Sequence, residues 1–129
     1  METKVRSLVG AQALAAVTRY GYNLQYVPKA SRTKAICLAA VKQNGYALEY
    51  VPETKRTKAV CFAAVTVRGC ALQYVPKVNR TKAICLAAVC ENSYALQHVP
   101  QEIYAAVFHK LSIKEQETQI VIVKEKLIK

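Results

Sequence analysis

Residues 32–52 read RTKAICLAAVKQNGYALEYVP, and the chain repeats the phrase as RTKAVCFAAVTVRGCALQYVP at 56–76 and RTKAICLAAVCENSYALQHVP at 80–100. The spacing is 24 residues each time and no gap is needed. Val27-Pro28, Val51-Pro52, Val75-Pro76 and Val99-Pro100 keep the beat, as do Ala15-Ala16-Val17, Ala39-Ala40-Val41, Ala63-Ala64-Val65 and Ala87-Ala88-Val89. A fixed period in this range marks an array of similar units, each burying its apolar faces on its neighbours.

Within a unit the first half predicts an α-helix. Thr33, Thr57 and Thr81 stand where an N-cap accepts from a free backbone amide. The residues that follow, such as Ile36, Leu38, Ala39, Ala40 and Val41, are apolar nearly all round, as suits a layer between two neighbours. Gly21, Gly45 and Gly69 are expected to end the helix in a left-handed cap, and Ser93 to make that turn less ideal in the fourth unit. The second half, Tyr46 to Pro52 for example, predicts a short helix, partly 3₁₀, that proline stops. A strand competes, since Tyr and Val favour strands, but Ala-Leu argues against it.

The expected fold is therefore all-α: a short α-helical solenoid of 24-residue two-helix repeats with a C-terminal capping segment. Residues 1–110 hold the array, as units 5–28, 29–52, 53–76 and 77–100 with a partial unit 101–110. Leu8-Val9-Gly10 replaces Arg-Thr-Lys in the first unit, and Glu102 to Val107 echoes Ile84 to Val89 six residues early. Such atypical ends suit caps. Residues 111–129 form a capping helix or strand. Ser112 and Glu115 have capping-box spacing, and Ile113, Ile120, Val121, Leu127 and Ile128 would share a helix face. The run Ile120 to Val123 reads equally well as a strand.

Ala35 to Pro52 resembles the bacterial and phage repeat family known as DUF4116, with Ala-Val, Asn-Gly and Ala-Leu-x-Tyr in the same order. The resemblance covers roughly residues 5–107. It implies a helical repeat and a microbial, phage or secreted-effector setting, and it carries no activity and no catalytic residue.

The 129 residues are 53% hydrophobic, without Trp or Asp, and carry a net charge of +11. Residues 1–100 hold 14 Lys and Arg against 4 Glu, whereas 101–129 hold 5 against 4, so the charge belongs to the repeats. Neither a membrane span nor a signal peptide is expected, because apolar runs are short and Met1 to Gly10 lacks an apolar core. Five cysteines without a secretion signal point to free thiols and a cytoplasmic setting, in the producing or the host cell. Cys37, Cys61 and Cys85 share one column of the array, too far apart to converge on a metal, and read as small core residues. No arrangement of nucleophile and base, paired carboxylates or phosphate-cradling glycines is present. The expectation is a protein that is not an enzyme and uses no cofactor.

The candidate binding residues are rows. Arg32, Arg56 and Arg80 form one column, Lys34, Lys58 and Lys82 another, and Lys29 and Lys77 a third, with Lys55 nearby. Cations are unfavourable at a helix N-terminus, so their recurrence there suggests an anionic partner. Three readings compete: an acidic protein surface or a nucleic-acid-binding protein, nucleic acid itself, and a solvated edge copied by duplication. Tyr26, Tyr50 and Tyr74 form a further column that His98 continues. Packing between units is the favoured reading for these rings, with stacking on bases or anchoring a partner as the alternative.

Overall fold

The computed structural model describes residues 10–111 and 113–128. Its regular elements are all helical. Helix α1 spans Gly10–Arg19, α2 Lys34–Gln43, α3 Lys58–Val67, α4 Lys82–Glu91, α5 Gln101–Phe108 and α6 Ile113–Ile128. The start of the first unit and the Ser112 end of the capping box lie outside the described residues.

Helices α2, α3 and α4 begin as the sequence predicts. The hydroxyl oxygens of Thr33, Thr57 and Thr81 accept from the amides of Ile36, Val60 and Ile84, all at 3.3 Å. Each cap satisfies one amide that would otherwise lack a partner. The second halves are 3₁₀ helices of six residues: Gly21–Tyr26, Gly45–Tyr50, Gly69–Tyr74 and Ser93–His98. Asn44 and Asn92 start two of them by accepting from the amides of Tyr46 and Tyr94. Each of these helices closes at a Val-Pro step, because proline has no amide to continue it. A third element, absent from the two-helix expectation, follows the proline as a short 3₁₀ turn at Lys29–Ser31, Glu53–Lys55 and Lys77–Asn79.

Successive α-helices pack on one another from α1 to α5, and so do the successive six-residue 3₁₀ helices. One continuous core results. Leu24, Leu48, Leu72 and Leu96 lie fully buried, one in each unit, together with Val17, Val41, Val65 and Val89. Each such leucine contributes about 2–3 kcal/mol by leaving water.

The glycines do a different job from the one expected. Gly21, Gly45 and Gly69 do not have positive φ, so they are not left-handed caps. Instead the next helix runs against them. A Cβ on Gly45 would stand 2.2 Å from the Ala64 carbonyl oxygen, and one on Gly69 would stand 2.2 Å from that of Ala88. Glycine is needed for close backbone approach, and the helix end itself is extended at Asn44, Arg68 and Asn92. The fourth turn is no less regular for Ser93, since Asn92 has φ −152° and ψ 114° against −149° and 111° at Asn44.

The tail is a helix, α6, and it contacts the fourth 3₁₀ helix. Polar side chains hold it, with Ile122 half-buried one turn beyond Gln119, and not the face shared by Ile113, Ile120, Val121 and Leu127. Gln119 is buried and donates to the Ser93 hydroxyl, Gln116 donates to the Phe108 and Leu111 carbonyls, and Lys126 reaches Gln97. Ile113, Ile120, Val121 and Leu127 are exposed. Among the described residues, no helix is long and apolar enough to cross a membrane.

Candidate interaction surface

The arginine column lies inside the seams between units. Arg32 donates from Nε to the Val27 carbonyl at 2.8 Å, from Nη1 to Tyr50 at 2.7 Å and from Nη2 to Gln25 at 3.2 Å. Arg56 makes the same set with Val51, Tyr74 and Glu49, at 2.8, 2.9 and 3.1 Å. Arg80 makes it with Val75, His98 and Gln73, at 2.9, 2.9 and 3.1 Å. Two acceptors of each set belong to the preceding 3₁₀ segment and the third ends the next one. A planar fork of five donors can span such a set, and a single ammonium cannot. The carbonyls at a helix C-terminus also carry partial negative charge, which suits a cation.

Burial lowers the pKa of Arg32 and Arg80 from its ordinary value, a shift that the neighbouring Cys37 and Cys85 thiols partly oppose. Both guanidiniums stay charged, because an arginine gives up its proton only far above neutrality.

The same arginines anchor the seams through their own carbonyls. The thiols of Cys37, Cys61 and Cys85 donate to the carbonyls of Arg32, Arg56 and Arg80 at 3.6, 3.5 and 3.6 Å. Lys55 Nζ also donates to the Arg32 carbonyl at 2.8 Å, and Asn79 Nδ2 to that of Arg56 at 2.9 Å. Each of Arg32, Arg56 and Arg80 therefore gives a bond from all three guanidinium nitrogens to the frame, and Lys55 gives one from its ammonium. Burial pushes the Cys61 and Cys85 thiols up to about 11. Cys37 is raised by the same cause, with Lys55 and Arg32 opposing.

The remaining lysines face water. Lys34, Lys58 and Lys82 open α2, α3 and α4, and Lys29 and Lys77 open the short 3₁₀ turns; all are exposed. Lys29 lies in the first full seam groove with Arg32, Arg56, Glu49 and Glu53, where the charge is mixed. Lys34, Lys58 and Lys82 lie outside that groove.

The tyrosine column is graded. Tyr26 is exposed, whereas Tyr50 and Tyr74 are half-buried and pack on the core. Tyr50 meets Tyr22 edge to face, with ring centroids 6.1 Å apart. Desolvation raises the hydroxyl pKa of Tyr50 and of Tyr74, and Glu49 beside both adds to it. The inner rings thus serve the seam, as the packing reading expects.

Sequence reasoning placed the arginines correctly in a column but missed their carbonyl acceptors. One signal was available. Arginine recurs before each capping threonine, where the helix end disfavours a cation, and an internal acceptor set removes that conflict.

A helical unit repeated with its own arginine clasp defines an all-helical repeat protein. The chain belongs to the DUF4116 family, a domain of unknown function, whose model matches residues 13–54 and 33–80. No curated protein and no solved structure is similar enough to match it.

Proposed function

We propose that the units form a short solenoid and that it serves as a non-enzymatic interaction module, presenting lysines to an acidic surface on a partner protein. One observation carries the reading. The arginines and Lys55 are spent on backbone carbonyls, while Lys34, Lys58 and Lys82 recur at each helix start with solvent around them. Lysine there opposes the helix dipole, so its recurrence three times has no benefit within the fold. An anionic partner supplies one. In a phage or effector setting such a module would inhibit or redirect a host complex.

The test is a Lys34→Ala, Lys58→Ala, Lys82→Ala variant beside the wild type. Capture of acidic proteins from a bacterial lysate should fall at least about threefold, since each lost contact of this type is worth roughly 0.2–1 kcal/mol. Unchanged capture would leave the row a solvated edge. Parallel titrations with labelled single- and double-stranded DNA and RNA, at low and near-physiological salt, address the second reading. Tight binding that weakens steeply with salt would make nucleic acid the partner instead. Small-angle scattering checks the shape. A globular chain of this length has a radius of gyration of about 14 Å, and a solenoid must exceed it.

A further inference from the structure

The last seam lacks an arginine that the inner ones have, and it carries Gln97, His98 and Gln101 where the first full seam has Glu49, Tyr50 and Glu53. In the first full seam, Arg32, Tyr50, Val51, Pro52, Glu53 and Arg56 line a groove of about 300 Å³. The groove that ends the array is lined by the matching residues Arg80, His98, Val99, Pro100 and Gln101, with Glu102 in addition. Its volume is about 550 Å³. The match is positional, each residue standing 48 places further along the chain. Only the second arginine has no counterpart. Position 104 holds a tyrosine, because the fifth unit drops six residues and enters α5 directly after Pro100.

The missing arginine leaves its acceptors behind. In each inner seam the later arginine donates Nε to the carbonyl five residues before it and Nη2 to the carbonyl seven before it. The corresponding oxygens at the end of the array are those of Val99 and Gln97. Among the described residues no side chain donates to either. His98 still gives its carbonyl to Arg80, so the groove wall keeps its inner-seam form.

We propose that this end groove is a socket for an arginine side chain presented by a partner protein. The guanidinium donates to the Val99 and Gln97 carbonyls, and the Glu102 carboxylate on the groove wall supplies the countercharge. Lys77, Arg80 and Lys126 stand near the groove, so the carbonyl acceptors and Glu102 must hold the guanidinium against them. Arg56 already sits in a groove lined by Lys29 and Arg32, where carbonyl acceptors hold it with Glu49 and Glu53 beside it; at the end of the array Gln97 and Gln101 replace those two glutamates and Glu102 is the carboxylate present. Recognition is by geometry: two carbonyls set for a fork select guanidinium over an ammonium of equal charge. The site is separate from the lysine row and does not depend on it.

The experiment uses acetyl-arginine methylamide as the probe and acetyl-lysine methylamide as the control, each titrated into the isotope-labelled full chain. Saturable shifts in the backbone amides of His98, Val99, Gln101 and Glu102 are expected with the arginine compound, at least about threefold tighter than with lysine. Glu102→Gln should weaken arginine binding about tenfold while the rest of the spectrum stays unchanged. No saturable shift, equal response to lysine, or indifference to Glu102→Gln would each overturn the proposal. Sedimentation as a function of concentration covers the source of the arginine. Self-association that the arginine compound disperses would assign it to a second copy of this chain and overturn the partner-protein assignment.

Discussion

Arg56 holds three carbonyls from two consecutive units with one rigid group. The chemistry separates two contributions that its charge alone would confuse. If positive charge near the seam is what matters, lysine replaces it. If the fork matters, lysine fails, because one ammonium cannot reach Glu49, Val51 and Tyr74 together. Arg56→Ala is expected to cost about 3 kcal/mol and Arg56→Lys about 2 kcal/mol, read from urea midpoints. A lysine variant as stable as wild type would refute the clasp. The thiols behind the clasp give a second reading at this scale. Folding raises Cys61 and Cys85 to about 11 by burial, so the folded state keeps protons that the unfolded chain releases near about 8.5. Their contribution is complete below about pH 8.5 and is lost as pH climbs toward 11. The fall in urea midpoint between pH 8 and pH 10.5 should shrink in a Cys61→Ala, Cys85→Ala variant. An unchanged slope would mean that these thiols ionise as freely folded as unfolded.

At the level of elements, the spacing between successive units depends on what the 3₁₀ helix starts with. Gly45 lets the Ala64 carbonyl come within a distance that no Cβ tolerates. Both the obstructing atom and the glycine are backbone, so relief requires the units to move apart. Gly45→Ala should therefore cost about 2 kcal/mol or more, although the same change in an open helix gains up to about 1 kcal/mol. Ser93→Ala, at the matching position, should change stability by less than about 1 kcal/mol, because a Cβ already stands there and only the Gln119 contact is lost. Equal losses at both sites would show that close approach is not what the glycine serves. The pair also marks where sequence reading stopped. Threonine caps, the alanine-rich helices and the proline stops were legible because each acts within a few residues. Gly45 was read as a left-handed cap because its real neighbour, Ala64, lies in the next unit. Arg56 was read as a free cation because its acceptors are backbone atoms, which have no letter in the sequence. The contacts of the tail are hidden for a related reason. Ile113, Ile120, Val121, Leu127 and Ile128 read as one helix face, whereas Gln116 and Gln119 supply the polar contacts that hold the helix.

Over the whole molecule, the lysine row, if it serves the proposed partner, sets stability against interaction. The chain carries +11, and Lys34, Lys58 and Lys82 sit at the first residue of a helix, where the dipole is also positive. Changing all three to Glu, each step removing two charges, takes the net charge from +11 to +5. It also converts three unfavourable dipole contacts into favourable ones. Each is worth about 0.3–1 kcal/mol, so the variant should be more stable by about 1–3 kcal/mol at low salt. Self-repulsion among the remaining cations falls too, and added salt should then stabilise the variant less than the wild type. A row kept for an acidic partner predicts the opposite trend in capture, which should fall below that of the alanine variant because repulsion replaces mere loss. Stability and capture moving in opposite directions is what an interaction row requires. Lower stability in the glutamate variant would make the lysines part of the frame. Higher stability with capture intact would make them a solvated edge, since nothing but duplication would then explain a cation at every helix start.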